Sequence, residues 1–198
     1  MSAAAVEPPC DGASDLLREA ERLTAKLPGY RVEIIGGELT VTPPPDGPHG
    51  EVLTDLLLAF APVHRGPTRV IQGIGLWLPD GPDDYAVPDL SVVDADYRDH
   101  LTEANCYDPA VFHLVLEVTS ANYGNDLRKK VAAYAIAKVP VYVIVDRIHD
   151  RLHLLRNPVA NEYDEHRVLA PGQHATLPVP AGAEIVLDVA AVLGAARP

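Results

Sequence analysis

The chain has 198 residues, 47% of them hydrophobic and 22% charged, a balance that fits one globular domain burying roughly 70% of its unfolded surface. Its 16 Lys and Arg against 28 Asp and Glu give a formal charge of −12. That excludes a uniformly basic surface and confines any nucleic-acid binding to a local groove. No apolar run reaches the ~18 residues of a membrane span, and the start Met1-Ser2-Ala3-Ala4-Ala5-Val6-Glu7-Pro8-Pro9 lacks the basic and apolar segments of a secretory signal. We therefore expect a cytoplasmic protein with no membrane partner, residues 1–12 forming a loose tail and 13–198 a single domain.

In chain order, Ser14 caps a helix to about Lys26, with Leu16, Leu17, Ala20 and Leu23 on one side, ended by Pro28-Gly29. Arg31–Ile35 and Glu38–Thr42 flank Gly36-Gly37 and read as a hairpin with a primed turn. After a stiff loop, Pro43–Pro48, a second helix runs from about His49 to Phe60, with Val52, Leu53, Leu56, Leu57 and Phe60 inward. Strands are expected near Arg69–Ile71, Leu76–Leu78, Asp89–Val93 and Phe112–Val118. A helix over Asp126–Lys138, with Leu127, Val131, Tyr134 and Ala135 inward, leads to Val141–Val145, whose unbroken apolar run marks a strand buried on both faces. Strand, helix, strand over 112–145 makes a βαβ unit with parallel strands. Arg151–Leu155 and Val168–Ala170 read as peripheral antiparallel strands, and Ile185–Leu193 as a short strand or helix. The class is α/β. Cys10 and Cys106 match no zinc spacing.

The chemistry lies in two carboxylates and an amine. Asp89 opens its strand after Pro88. Glu117 sits inside the apolar strand Phe112–Val118, where alternation groups Phe112, Leu114, Leu116 and Val118 on one face and His113, Val115, Glu117 and Thr119 on the other. A carboxylate in such a strand needs a partner. On neighbouring strands, opposed Cβ atoms are ~5 Å apart, and two carboxylates at that range repel unless a cation intervenes. A divalent ion would resolve the conflict and take oxygens from both. Asp126, Lys130 and Tyr134 recur at i, i+4 and i+8, so Lys130 borders the buried stripe and can lean over the sheet where Glu117 ends. A metal with an ammonium beside it suits phosphodiester hydrolysis. Plainer roles stand beside these: Asp89 as a strand-opening residue after proline, Glu117 paired with a buried arginine, Lys130 paired along its helix with Asp126, and His49 as a group at a helix start. His49, Glu51, Glu38, Asp126 and Thr119 are candidate auxiliaries at the site.

Pro88-Asp89, Glu117-Val118-Thr119-Ser120, Asp126, Lys130 and Tyr134, and Val139-Pro140-Val141-Tyr142-Val143-Ile144-Val145-Asp146 together resemble the Uma-two family, a bacterial restriction-endonuclease group within the PD-(D/E)XK superfamily. Arg31–Leu39, Thr42-Pro43-Pro44-Pro45 and His49-Gly50 extend the resemblance to about residues 28–190. It implies a restriction-endonuclease-like mixed sheet core flanked by helices, and Mg²⁺-dependent DNA cleavage with Mn²⁺ as a substitute. It makes Asp89 and Glu117 the metal ligands and Lys130 the third catalytic group. The superfamily places its lysine two residues after the acid, where this chain has Thr119, and the resemblance moves that role to Lys130. A homodimer suits cleavage of both strands. The rival reading is a catalytically silent binding or assembly module, favoured by the charge of −12 and by Thr119 in the lysine slot.

Overall fold

The computed structural model describes residues 14–119, 123–180 and 184–195; the expected tail, Cys10 and Ser120 lie outside them. Helix α1 (Asp15–Lys26) starts where the Ser14 side chain accepts from the Leu16 and Leu17 amides. It lays Leu17 and Ala20 on strand β1 (Arg31–Ile35). β1 pairs antiparallel with β2 (Glu38–Thr42) around Gly36 and Gly37, at φ 61° and 71°, the left-handed pair that a primed turn needs. The Asp84 carboxylate accepts from both glycine amides, at 2.6 and 3.1 Å. Helix α2 (Gly47–Phe60) begins two residues before the expected start, because Asp46 caps it by accepting from the His49 amide and Pro48 fits its first turn. Val52, Leu56 and Phe60 form its buried stripe, while Leu57, expected inward, is 38% exposed on the shoulder.

The strands that follow are β3 (Thr68–Gln72), β4 (Gly75–Trp77), β5 (Tyr85–Ala86), β6 (Leu90–Asp94), β7 (Cys106–Tyr107) and β8 (Phe112–Val118). Then come helix α3 (Tyr123–Ile136), β9 (Val141–Asp146), β10 (Arg151–Val159), β11 (Glu162–Leu169), β12 (His174–Pro178), β13 (Glu184–Asp188) and α4 (Val189–Ala195). The main sheet has six strands in the order β11-β10-β9-β8-β6-β3. β8 and β9 are parallel, as the βαβ reading requires, and the remaining neighbours are antiparallel. A second sheet, β2-β1-β5-β4-β7, stands beside α1, and β12 and β13 form a separate hairpin.

One face of the main sheet, with Leu90, Val92, Leu114, Leu116, Val143 and Val145, packs on α2, α4 and the β12–β13 hairpin. The other, with Val115, Tyr142 and Ile144, packs under α3 through Ala133 and Tyr134. Phe112 departs from the expected alternation. The register skips His113, so that Val92 opposes Leu114 and Val93 opposes Phe112. The bulge turns Phe112 onto the α3 face with Val115. α3 starts three residues before the expected helix and stops at Ile136, with Lys138 at φ 57° in the left-handed conformation that closes a helix end. β10 and β11 are far longer than expected, and 185–193 holds a strand followed by a helix.

Candidate active site

β6 and β8 pair antiparallel with Leu90 opposite Leu116. Continuing that register by one residue sets Asp89 opposite Glu117, at the end of the sheet. Asp89 is fixed on both oxygens: Oδ2 accepts from the Val118 amide at 2.7 Å, and Oδ1 from Arg31 Nη1 at 2.6 Å. His49, buried near the start of α2, places Nε2 3.5 Å from Oδ2. Burial works against the Asp89 charge, but His49, Arg31 and the Val118 amide outweigh it and hold the carboxyl below its usual range.

Glu117 Oε1 accepts from Lys130 Nζ at 2.8 Å and from the Tyr134 hydroxyl at 2.8 Å, both on α3. Its Oε2 faces Arg31 Nη1 at 3.6 Å. Burial raises the Glu117 carboxyl, the Lys130 ammonium pulls against it, and the Asp89 charge adds to the upward push. Lys130 also donates to Glu33 Oε1 at 2.9 Å. Burial alone would favour its neutral amine, yet the Glu117 and Glu33 charges prevail and keep it an ammonium, above the usual lysine range. The α3 spacing places Lys130 over the sheet, where it joins Glu117 on β8 to Glu33 on β1.

Glu33 and Arg31 were not foreseen. Both lie on β1, whose other side buries Val32 and Ile34. Glu33 is 3% exposed and its Oε1 also accepts from the Val87 amide at 2.8 Å. The argument that singled out Glu117, a carboxylate alternating with apolar residues in a strand, applies equally to Arg31-Val32-Glu33-Ile34-Ile35 and would have found it.

The auxiliary candidates separate cleanly. His49 borders Asp89. Glu51 is exposed on α2. Glu38 is exposed and paired with Lys129 at 2.5 Å. The Asp126 side chain lies outside the described residues. Thr119 is buried and ties β8 to β9: its amide and hydroxyl both donate to the Val145 carbonyl, at 3.0 and 3.1 Å, and its Oγ1 accepts from the Arg147 amide. It brings no charge to the lysine slot.

A cleft of about 760 Å³ opens over these groups, lined among others by Tyr30, Arg31, Asp46, His49, Asp89 and Arg147. Glu117 and Lys130 do not line it. Among the described residues no three His, Cys, Asp or Glu side chains form a ready-made ion site. Magnesium, however, takes one or two carboxylates and fills its shell with water and phosphate oxygens. Asp89 Oδ1 and Glu117 Oε2 are hard oxygens of that kind, both turned to one point. The donor chemistry fits such an ion, and the point itself is held by Arg31 Nη1.

A mixed sheet flanked by helices defines an α/β domain. The chain is similar to the crystal structure of a "putative nuclease belonging to DUF820" from Anabaena variabilis ATCC 29413, at 19% identity over 87% of this chain and 96% of that one, with a TM-score of 0.65. The chain belongs to the Uma2 family, described as "Putative restriction endonuclease", which matches residues 17–190. No curated protein matches it. The family and the α/β fold are those the sequence resemblance implied. No helix among the described residues is long and apolar enough to cross a membrane.

Proposed function

We propose that this chain is a Mg²⁺-dependent endonuclease that hydrolyses DNA phosphodiester bonds, with Asp89 and Glu117 holding the ion and Lys130 as the third catalytic group. The observation that carries the reading is the convergence of Asp89, Glu117 and Lys130 from three separate elements at one end of the sheet. A bound divalent ion would supply an activated water and neutralise developing phosphate charge. Lys130, held as an ammonium, fixes the Glu117 carboxylate in direction and adds positive potential beneath the reacting phosphate. Tyr134 holds the same Glu117 oxygen and leaves Oε2 to face Arg31. Arg31, His49 and Arg147 line the cleft together with Asp89 and Asp46, to which the two arginines are paired; a phosphate backbone would compete for those arginines, so binding should weaken as salt rises.

A specific observation also favours the silent reading. Arg31 already stands between the two acids, and Glu117 is withdrawn from the cleft. Incubation of supercoiled plasmid with Mg²⁺ or Mn²⁺ decides between the two. Nicked and linear products that vanish in Asp89→Asn and Glu117→Gln, with circular dichroism unchanged, support the enzyme. Cutting that survives both substitutions removes the site, and an inert wild-type protein favours the binding module.

A further inference from the structure

Arg31 uses its nitrogens unequally. Nη1 donates to the Val87 carbonyl at 3.0 Å and to Asp89 Oδ1 at 2.6 Å, and it stands 3.6 Å from Glu117 Oε2. Nε is buried without a hydrogen-bond partner among the described residues, 3.8 Å from Glu33 Oε2. A structural arginine usually presents its planar fork to one carboxylate through two parallel bonds. Here one nitrogen is inserted between two acids, where a small cation would sit, and a buried donor is left unmatched, a costly arrangement. The side chain is also the least enclosed of the group, 23% exposed against 9% for Lys130 and 3% for Glu33. It lines the cleft whereas Glu117 does not, so its guanidinium stands between the cleft and Glu117.

We propose that Arg31 and a divalent cation are alternative occupants of the seat between Asp89 and Glu117, and that ion binding turns the guanidinium into the cleft, where it binds a non-bridging oxygen of the substrate phosphate. The proposal rests on the ion-dependent nuclease reading above. Two cations cannot share a seat within bonding distance of the same oxygens, because their repulsion in a buried site is severe. The ion therefore evicts the side chain. The cleft is the open direction, and a phosphate supplies the acceptor that the present seat denies to Nε. Arg31 thereby links ion loading to substrate binding, and the linkage is reciprocal: each ligand tightens the other.

The test uses full-length, ¹⁵N-labelled protein and the Arg31 Nε–H resonance, assigned by its disappearance in Arg31→Lys. Titration with Mg²⁺ should move that resonance in step with ion binding, and a phosphorothioate thymidine dinucleotide added afterwards should move it again. Arg31→Met, which cannot compete for the seat, should bind Mg²⁺ about tenfold or more tighter by calorimetry, the gain expected when a site about one-tenth free becomes fully free. Should Arg31→Met fold poorly, the resonance of the wild-type protein still decides. Asp89-dependent Mg²⁺ binding with an unmoved Arg31 signal, or with equal affinity in a folded Arg31→Met, overturns the exchange and leaves the ion site standing. A dinucleotide that leaves the signal still overturns the phosphate step. Failure of Mg²⁺ to bind either protein overturns both the exchange and the nuclease reading beneath it.

Discussion

Replacing Glu33 by glutamine tests the connection between the β1 hairpin and the sheet. Its Oε1 accepts from the Val87 amide at 2.8 Å and from Lys130 Nζ at 2.9 Å, joining residues 97 apart in sequence. Glutamine keeps the shape and one acceptor, but removes the charge and turns an amide donor toward Arg31. A hydrogen bond to a charged group is worth about 1.5–3 kcal/mol, and truncation to alanine, which strips a partner from a buried ion, about 3–5 kcal/mol. In a chain of this size each kcal/mol moves Tm by about 2–4 °C, so Glu33→Gln should melt roughly 3–12 °C lower. The effect should persist in high salt, because buried charges are poorly screened. Glu38→Gln is the control. Its pair with Lys129 is exposed and such pairs contribute at most about 1 kcal/mol. Thermal melts in the presence of a chelator read both. A Glu33→Gln protein within about 0.5 kcal/mol of wild type, or no less stable than Glu38→Gln, would refute the buried network.

Tyr142 and Tyr134 stack edge to face at 4.9 Å but differ in their hydroxyls. That of Tyr142 is buried without a hydrogen-bond partner among the described residues, and that of Tyr134 donates to Glu117. Urea unfolding should find Tyr142→Phe neutral or stabilised and Tyr134→Phe weakened by about 1.5–3 kcal/mol; the reverse order would place the polar groups wrongly. Burial lowers the His153 pKa, the His166 charge adds to it, and Asp146 opposes it. A histidine depressed in the fold binds fewer protons there than in the unfolded chain. Its contribution is therefore fully present above the ordinary pKa of about 6.5 and lost as pH falls through the folded value. The urea midpoint should fall on acidification below that pH, and His153→Gln should flatten the fall; parallel profiles would contradict it.

Much of the fold was legible because local and tertiary signals agreed. Ser14 caps where a cap was expected, Gly36-Gly37 makes the primed turn, and the apolar run Val141–Val145 is the buried parallel strand beside β8. The nearness of Asp89 to Glu117 was conditional on their strands being neighbours, which the period of two could not decide and the β6–β8 register supplies. What stayed hidden lacked a one-dimensional signature. The His113 bulge is a register event between strands, and it inverted Phe112. β10 and β11 continue through Asn157, Pro158 and Glu162, residues that weaken a strand pattern, and turn at Ala160 with φ 53°. Arg31 and Glu33 carried the same cue as Glu117, yet a hairpin read alone gave no reason to bring β1 to α3. Thr119 stands where a lysine was expected and takes part in a strand tie instead.

The central proposal is that Asp89 and Glu117 together hold a divalent ion. Crystals soaked in Mn²⁺ and measured at a wavelength where manganese scatters anomalously test it most directly. The account predicts a peak on the order of 2 Å from an oxygen of each residue, with the Arg31 guanidinium gone from between them. A peak elsewhere, or ordered metal absent from a soaked site that still holds Arg31, would contradict it.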